Sequence, residues 1–231
     1  MPGTLGVTIG EKHTLKDWNL GWTAITLGFP EPKTYELDIQ GADGTLDITE
    51  AVTGGDVKYK NHSLSLEFET PDEDFFEWGS IVSDIANYLV GKKMKIILDT
   101  DPSFYYIGRL TIDVEKTDRI NGKLVMSGEV DPYKYEVASS LEDFNFETDI
   151  IREYGNIKVS GKYELNISGR RKRVIPVIEC DTPMQVTYNG ATYDLPKGKS
   201  KVFDIWLSEG DNLLTFTGNG TVSVDYRGGS L

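Results

Sequence analysis

Two histidines, His13 and His62, are the only side chains whose ordinary pKa suits general acid–base work near neutral pH. Neither belongs to a known catalytic pattern: the chain has no G-x-S-x-G elbow, no H-E-x-x-H helix and no phosphate-binding loop. His13 falls in an N-terminal segment expected to be mobile, and His62 opens a strand where it is expected to meet a neighbour. The one cysteine, Cys180, ends the apolar run Val174–Cys180 and reads as a buried strand thiol. Alone, it forms no intrachain disulfide and no cysteine zinc cluster. Carboxylates are abundant, and Asp43–Glu50 invites a calcium reading. Leu46 and Ile48 stand where that register needs oxygen ligands, so no metal site is expected. Catalytic and cofactor-binding residues are expected to be absent, and the chain is not expected to be an enzyme.

Two further constellations could recognise a ligand. Arg170-Arg171-Lys172-Arg173 is the one basic cluster, follows Gly169, and reads as a hairpin tip. It is expected to be solvated or to contact an acidic neighbour. In Lys201–Leu207, period-two alternation places Phe203, Ile205 and Leu207 on one face and Val202, Asp204 and Trp206 on the other. Asp204 and Trp206 are therefore the candidate platform for a sugar or a partner, against the alternative that Trp206 packs beneath a loop.

Residues 1–140 carry 13 Lys+Arg against 24 Asp+Glu, while residues 141–231 carry 11 against 13. Binding to nucleic acid needs cations that displace counterions from phosphate, so the acidic first part disfavours it. No apolar run reaches transmembrane length, no basic and apolar leader opens the chain, and no membrane insertion is expected.

The elements that must position these residues are mostly strands. Trp18–Leu27 reads as the first, closed by a stiff connector containing Pro30 and Pro32. Tyr35, Leu37 and Ile39 alternate with polar residues as in a half-buried strand, and Leu64, Leu66 and Phe68 repeat the pattern. A helix is predicted with Thr70 as N-cap and Pro71 in its first turn. Its core stripe is Phe75, Trp78, Ile81/Val82, Ile85 and Tyr88/Leu89, and Gly91 closes it. Hairpins are expected around Asp99–Ser103 and at Asn121-Gly122. Beyond Asp131–Tyr135 short strands are separated by turns at Asn189-Gly190, Lys197-Gly198, Glu209-Gly210 and Gly218-Asn219-Gly220, which argues an antiparallel sandwich. The fold class is mainly β, with an N-terminal β-sandwich bearing one α-helix (1–138) and a C-terminal antiparallel β-sandwich (139–231).

Several motifs together resemble one family. Lys33-Thr34-Tyr35, the run Asp38-Ile39-x-Gly41-Ala42-Asp43-Gly44-x-Leu46-Asp47-x-Thr49, and Tyr59-Lys60-Asn61 match the N-terminal domain of siphophage distal tail proteins, with His62 where that pattern carries arginine. The stretch from Gly91-Lys92-Lys93 to Gly108-Arg109 is similar as well, and Gly210–Gly228 resembles the galectin-like C-terminal domain of long members. The resemblance implies a virion tail component that assembles with itself as a ring, a homo-hexamer. It would join the major tail tube protein to tail-tip and receptor-binding proteins, and DNA would pass through without specific binding. Pro30, Pro32, Lys33, Thr34, Asp43, Asp47, Thr49 and His62 are the expected interface residues. The alternative is a module that binds cell-wall glycan through the C-terminal sandwich.

Overall fold

The computed structural model describes residues 4–71, 75–116, 121–138, 140–141, 144–145, 150–151 and 154–231. Every strand pairing among them is antiparallel, and the chain is mainly β, as expected. It divides into two compact units. One comprises Met1–Pro102, Tyr106–Pro132 and Leu231; the other comprises Ser103–Tyr105 and Tyr133–Ser230.

The first unit is built on a sheet of order Lys12–His13, Val7–Ile9, Met94–Leu98, Phe104–Lys116, Asn121–Val130, His62–Pro71, Trp22–Leu27. Leu64, Leu66 and Phe68 point into its core at full burial, and Leu124 and Met126 do the same from the next strand. The helix Phe75–Leu89 contributes Trp78, Ile85 and Leu89 to that core, with Ile81, Val82 and Tyr88 packed beside them. This is the predicted stripe, apart from Phe75, whose side chain lies outside the described residues. Gly91 takes a φ of 81° just past the helix, the left-handed turn that only glycine adopts without strain.

Two predicted boundaries differ. Thr70 and Pro71 do not begin the helix; they end the strand His62–Pro71, paired with Gly122 and Asn121. Strand pairing to a long neighbour outweighs the local capping signal. Asn121 and Gly122 likewise open a strand instead of forming a turn, with Gly122 opposite Lys116; residues 117–120 lie outside the described ones. Among the described residues two further helices of five residues each occur, Thr14–Trp18 and Thr49–Thr53.

His13 is tied into the fold by its contacts. It caps the helix Thr14–Trp18, its Nδ1 accepting from the Lys16 backbone N–H at 3.3 Å. Its Nε2 lies 3.1 Å from the Asp99 carboxylate, which also accepts the Gly6 N–H at 2.7 Å. A Cβ on Gly6 would fall 2.2 Å from the imidazole, so glycine is what lets the ring close over this segment.

In the second unit, the 16-residue strand Gly210–Asp225 is the spine. One edge pairs from Gly210 to Val222 with the whole of Ile157–Gly169, and the other carries Met184–Tyr188 and Val177–Cys180 in succession. Ile167, Ile178, Val186, Leu214, Phe216, Val222 and Val224 are wholly buried between these strands. Asn189 and Gly190 both have positive φ, 48° and 81°, and turn the hairpin to Ala191–Leu195 as predicted.

Gly218-Asn219-Gly220 is not a turn. The strand runs straight through it, with Gly218 opposite Gly161 and Gly220 opposite Val159. The glycines serve close approach: a Cβ on Gly218 would lie 2.7 Å from Met184 Cβ, and one on Gly220 2.1 Å from Thr182 Oγ1. Cys180 is buried at 2 % exposure, as expected, and burial pushes its thiol up to about 11.

Candidate interaction surfaces

Between Leu27 and Leu64 no apolar residue belongs to the hydrophobic core of the first unit. This segment forms an arm with its own small ladders. Pro32–Lys33 pairs with Lys58–Tyr59 at the base, and Glu36–Asp38 pairs with Thr45–Asp47 further out. Gly41 and Gly44, at φ 88° and 76°, make the tip. The helix Thr49–Thr53 follows, ended by Gly54 in the left-handed conformation.

Thr49 ties this arm together. Its hydroxyl accepts the Tyr35 N–H at 2.8 Å, its own N–H donates to the Asp47 carboxylate at 2.8 Å, and it is 4 % exposed. Hydrogen bonding from the Thr49 side chain, and then from its backbone N–H, holds the Asp47 carboxyl below its usual range. Ile48 N–H donates to the Tyr35 carbonyl, and Thr45 Oγ1 donates to Glu36.

The pairing Leu37↔Leu46 sets which side chains share a face. Tyr35, Leu37, Ile39 and Leu46 stand on one side of the hairpin; Glu36, Asp38 and Asp47 stand on the other. The apolar side is uncovered: these four side chains are 45 to 51 % exposed, and Val52 on the following helix is 56 % exposed. The predicted half-buried strand therefore has the alternation but not the burial. Its apolar face has no partner within this unit's core. Phe29, at 86 %, adds a further exposed ring at the base of the arm.

Of the expected interface residues, Pro32, Lys33, Thr34, Asp43 and Asp47 are exposed on this arm, and Pro30 is half-buried where it begins. Two are buried in the chain itself. Thr49 braces the hairpin from inside, and His62 is 7 % exposed with its ring edge-on to Tyr106 at 6.0 Å. Leu37, Ile39, Leu46 and Val52, exposed on the same arm, are not among those eight residues. Their signal was the apolar alternation itself, which does not tell a core face from an interface face.

A second surface lies in the second unit. The basic cluster is not a solvated tip. Arg170 pairs with Glu136, whose side chain is 9 % exposed, and Arg171 pairs with Glu209 at 2.9 Å. The Lys172 ammonium sits 4.7 Å from the Tyr135 ring centre, and the Arg173 guanidinium 5.1 Å from that of Trp206. Lys201–Leu207 is not a regular strand: Phe203 and Asp204 form a turn, and only Leu207 bridges, to Val174. Ile205 and Leu207 are wholly buried, but Phe203, expected beside them, is 72 % exposed. Asp204 is exposed and Trp206 is 41 % exposed, so the indole does not pack beneath a loop. The Trp206 backbone is fixed by the Tyr188 hydroxyl, which donates to its carbonyl.

No family model matches the chain, and no curated protein matches it. Among solved structures it is similar to the Dit protein of phage SPP1, described as a paradigm of the hub adsorption apparatus in phages that infect Gram-positive bacteria. The alignment covers 97% of this chain and 99% of that one, with a TM-score of 0.66 and 14% sequence identity. The fold is Dit-like. The likeness is one of fold and extends over nearly the whole length of both chains.

Proposed function

We infer that the chain is a distal-tail hub protein of a phage virion. The observation that carries this reading is the uncovered apolar face of the arm. A two-stranded hairpin is marginal alone in water, and a contiguous exposed apolar face rimmed by charge marks an interaction site. Leu37 and Leu46 with their flanking Tyr35 and Ile39 form such a face, backed by the carboxylates Glu36, Asp38 and Asp47. In this reading a neighbouring copy covers it. A contact between two different patches of one chain is heterologous, and it closes into a ring when the rotation permits. The Dit-like fold and the motif resemblance support the ring, and the resemblance supports a homo-hexamer.

The ring would join the major tail tube protein to tail-tip and receptor-binding proteins. The acidic first part of the chain, 24 carboxylates against 13 cations over residues 1–140, suits a channel wall to which passing DNA does not adhere. Among the described residues no helix is long and apolar enough to cross a membrane. Electron microscopy of the concentrated protein, alone and with tube and tail-tip partners, tests the reading: closed rings support it. Particles that stay single under every one of these conditions overturn it.

A further inference from the structure

We propose that the depression beside Trp206 binds an anionic saccharide, a sugar ring bearing a phosphate or carboxylate. The proposal is independent of ring formation. The depression has a volume of about 490 Å³, within the roughly 300–1,000 Å³ usual for small-ligand sites. Val174 and Val177 contribute apolar lining, with Trp206 and Tyr226 as its aromatic members.

Its charge runs against that of the chain. In a protein of net charge −13, Arg173, Lys201 and Arg227 line this one concavity against a single carboxylate, Asp225. That carboxylate is engaged, accepting the Ser140 hydroxyl at 3.1 Å. Arg227 donates to the carbonyls of Glu136 and Val137 and pairs with no carboxylate among the described residues. Lys201 makes no ion pair among them either. Among the described residues, therefore, no carboxylate pairs with two of the cations facing this open depression, which favours an anion there.

The aromatic groups specify what carries the anion. The Trp206 indole is 41 % exposed at a fixed backbone, since the Val174 and Leu207 amides exchange hydrogen bonds of 3.1 and 2.8 Å beside it. Phe203, 72 % exposed, stands on the turn just before it. An exposed indole on a fixed backbone, with the Arg173 guanidinium 5.1 Å from its ring centre, leaves its open face for a flat, weakly polar ring, with charge-assisted bonds to its anionic substituent. An inorganic anion would leave the indole unused, and a neutral sugar would leave the cations unused.

The test is a titration of the isotope-labelled full chain, following the Trp206 indole N–H, which Trp206→Phe identifies by its disappearance. Glucose phosphate and glucuronate are expected to shift that resonance saturably, each binding about tenfold or more tightly than glucose or inorganic phosphate. Lys201→Glu should weaken both by a similar factor while the remaining spectrum, and hence the fold, is unchanged. The absence of a saturable shift with either anionic sugar overturns the proposal. Equal binding of glucose removes the anionic requirement and overturns it too, as does equal binding of inorganic phosphate. A hexaglutamate peptide that saturates the site where the sugars do not replaces the saccharide with an acidic protein segment.

Discussion

Leu37 and Leu46 face each other across a two-stranded ladder with about half of each side chain open, 50 % and 51 %. An apolar cross-strand pair is the usual unit of sheet stabilisation, yet here it covers no core. The pair stabilises the isolated chain little, and its burial is available for a partner. Leu37→Ser and Leu46→Ser, singly, should therefore change the stability of the unassembled protein by no more than about 0.5 kcal/mol. Urea unfolding of dilute protein checks this; a loss of several kcal/mol would place the pair in a core of the chain itself.

The arm should loosen in acid. Thr49 holds the Asp47 carboxyl below its ordinary value of about 3.9, so the folded arm prefers the ionised form. The stabilisation is complete above that ordinary value and is lost as pH falls through the lower, folded one. Amide exchange at Thr49 and Tyr35, normalised for intrinsic rate, should rise selectively below about pH 4. In Asp47→Asn the extra pH dependence should vanish.

Gly218→Ala should destabilise the second unit by about 2 kcal/mol or more. At φ 150° the backbone is one that side chains avoid, and the added Cβ would meet Met184 at 2.7 Å. The neighbouring Gly161→Ala, with φ 78° but open space around it, should cost less. Thermal melts of the two variants separate steric contact from backbone conformation.

Glu136→Ala leaves the Arg170 guanidinium without its carboxylate in a largely buried setting. Removing one partner of such a pair costs about 3 kcal/mol. The double change Glu136→Met with Arg170→Met should recover part of that loss, because it removes both charges together. Chemical denaturation of the set measures the coupling.

The sequence showed the core stripe of the long helix and the alternating strands, because burial against one large sheet imposes a single period on each. It showed Asn189-Gly190 as a turn because two adjacent positive-φ residues have few other uses. Gly218-Asn219-Gly220 also carries turn-forming residues but is strand, since its glycines admit Met184 and Thr182 from a segment distant in sequence. No local pattern distinguishes those two cases. Thr70 and Pro71 likewise lost their helical reading to pairing with Asn121 and Gly122.

The candidate surfaces were legible to the same extent. Alternation marked Tyr35, Leu37 and Ile39 as one face without saying whether that face meets the chain's own core or another chain. Trp206 and Asp204 were visible as a pair, but Arg173, Lys201 and Arg227 come from separate parts of the chain. Only the folded second unit brings them around one depression.

The most direct test of the hub reading is the mass of the assembled protein by sedimentation, compared with that of the double variant Leu37→Asp, Leu46→Asp. The wild type should reach a discrete, closed oligomer as concentration rises, with a mass close to that of six chains if the resemblance holds. The variant should remain a folded monomer under the same conditions. A wild type that stays monomeric at every concentration and with its tail partners present, or a variant that assembles as the wild type does, would contradict the assignment of this face to the ring.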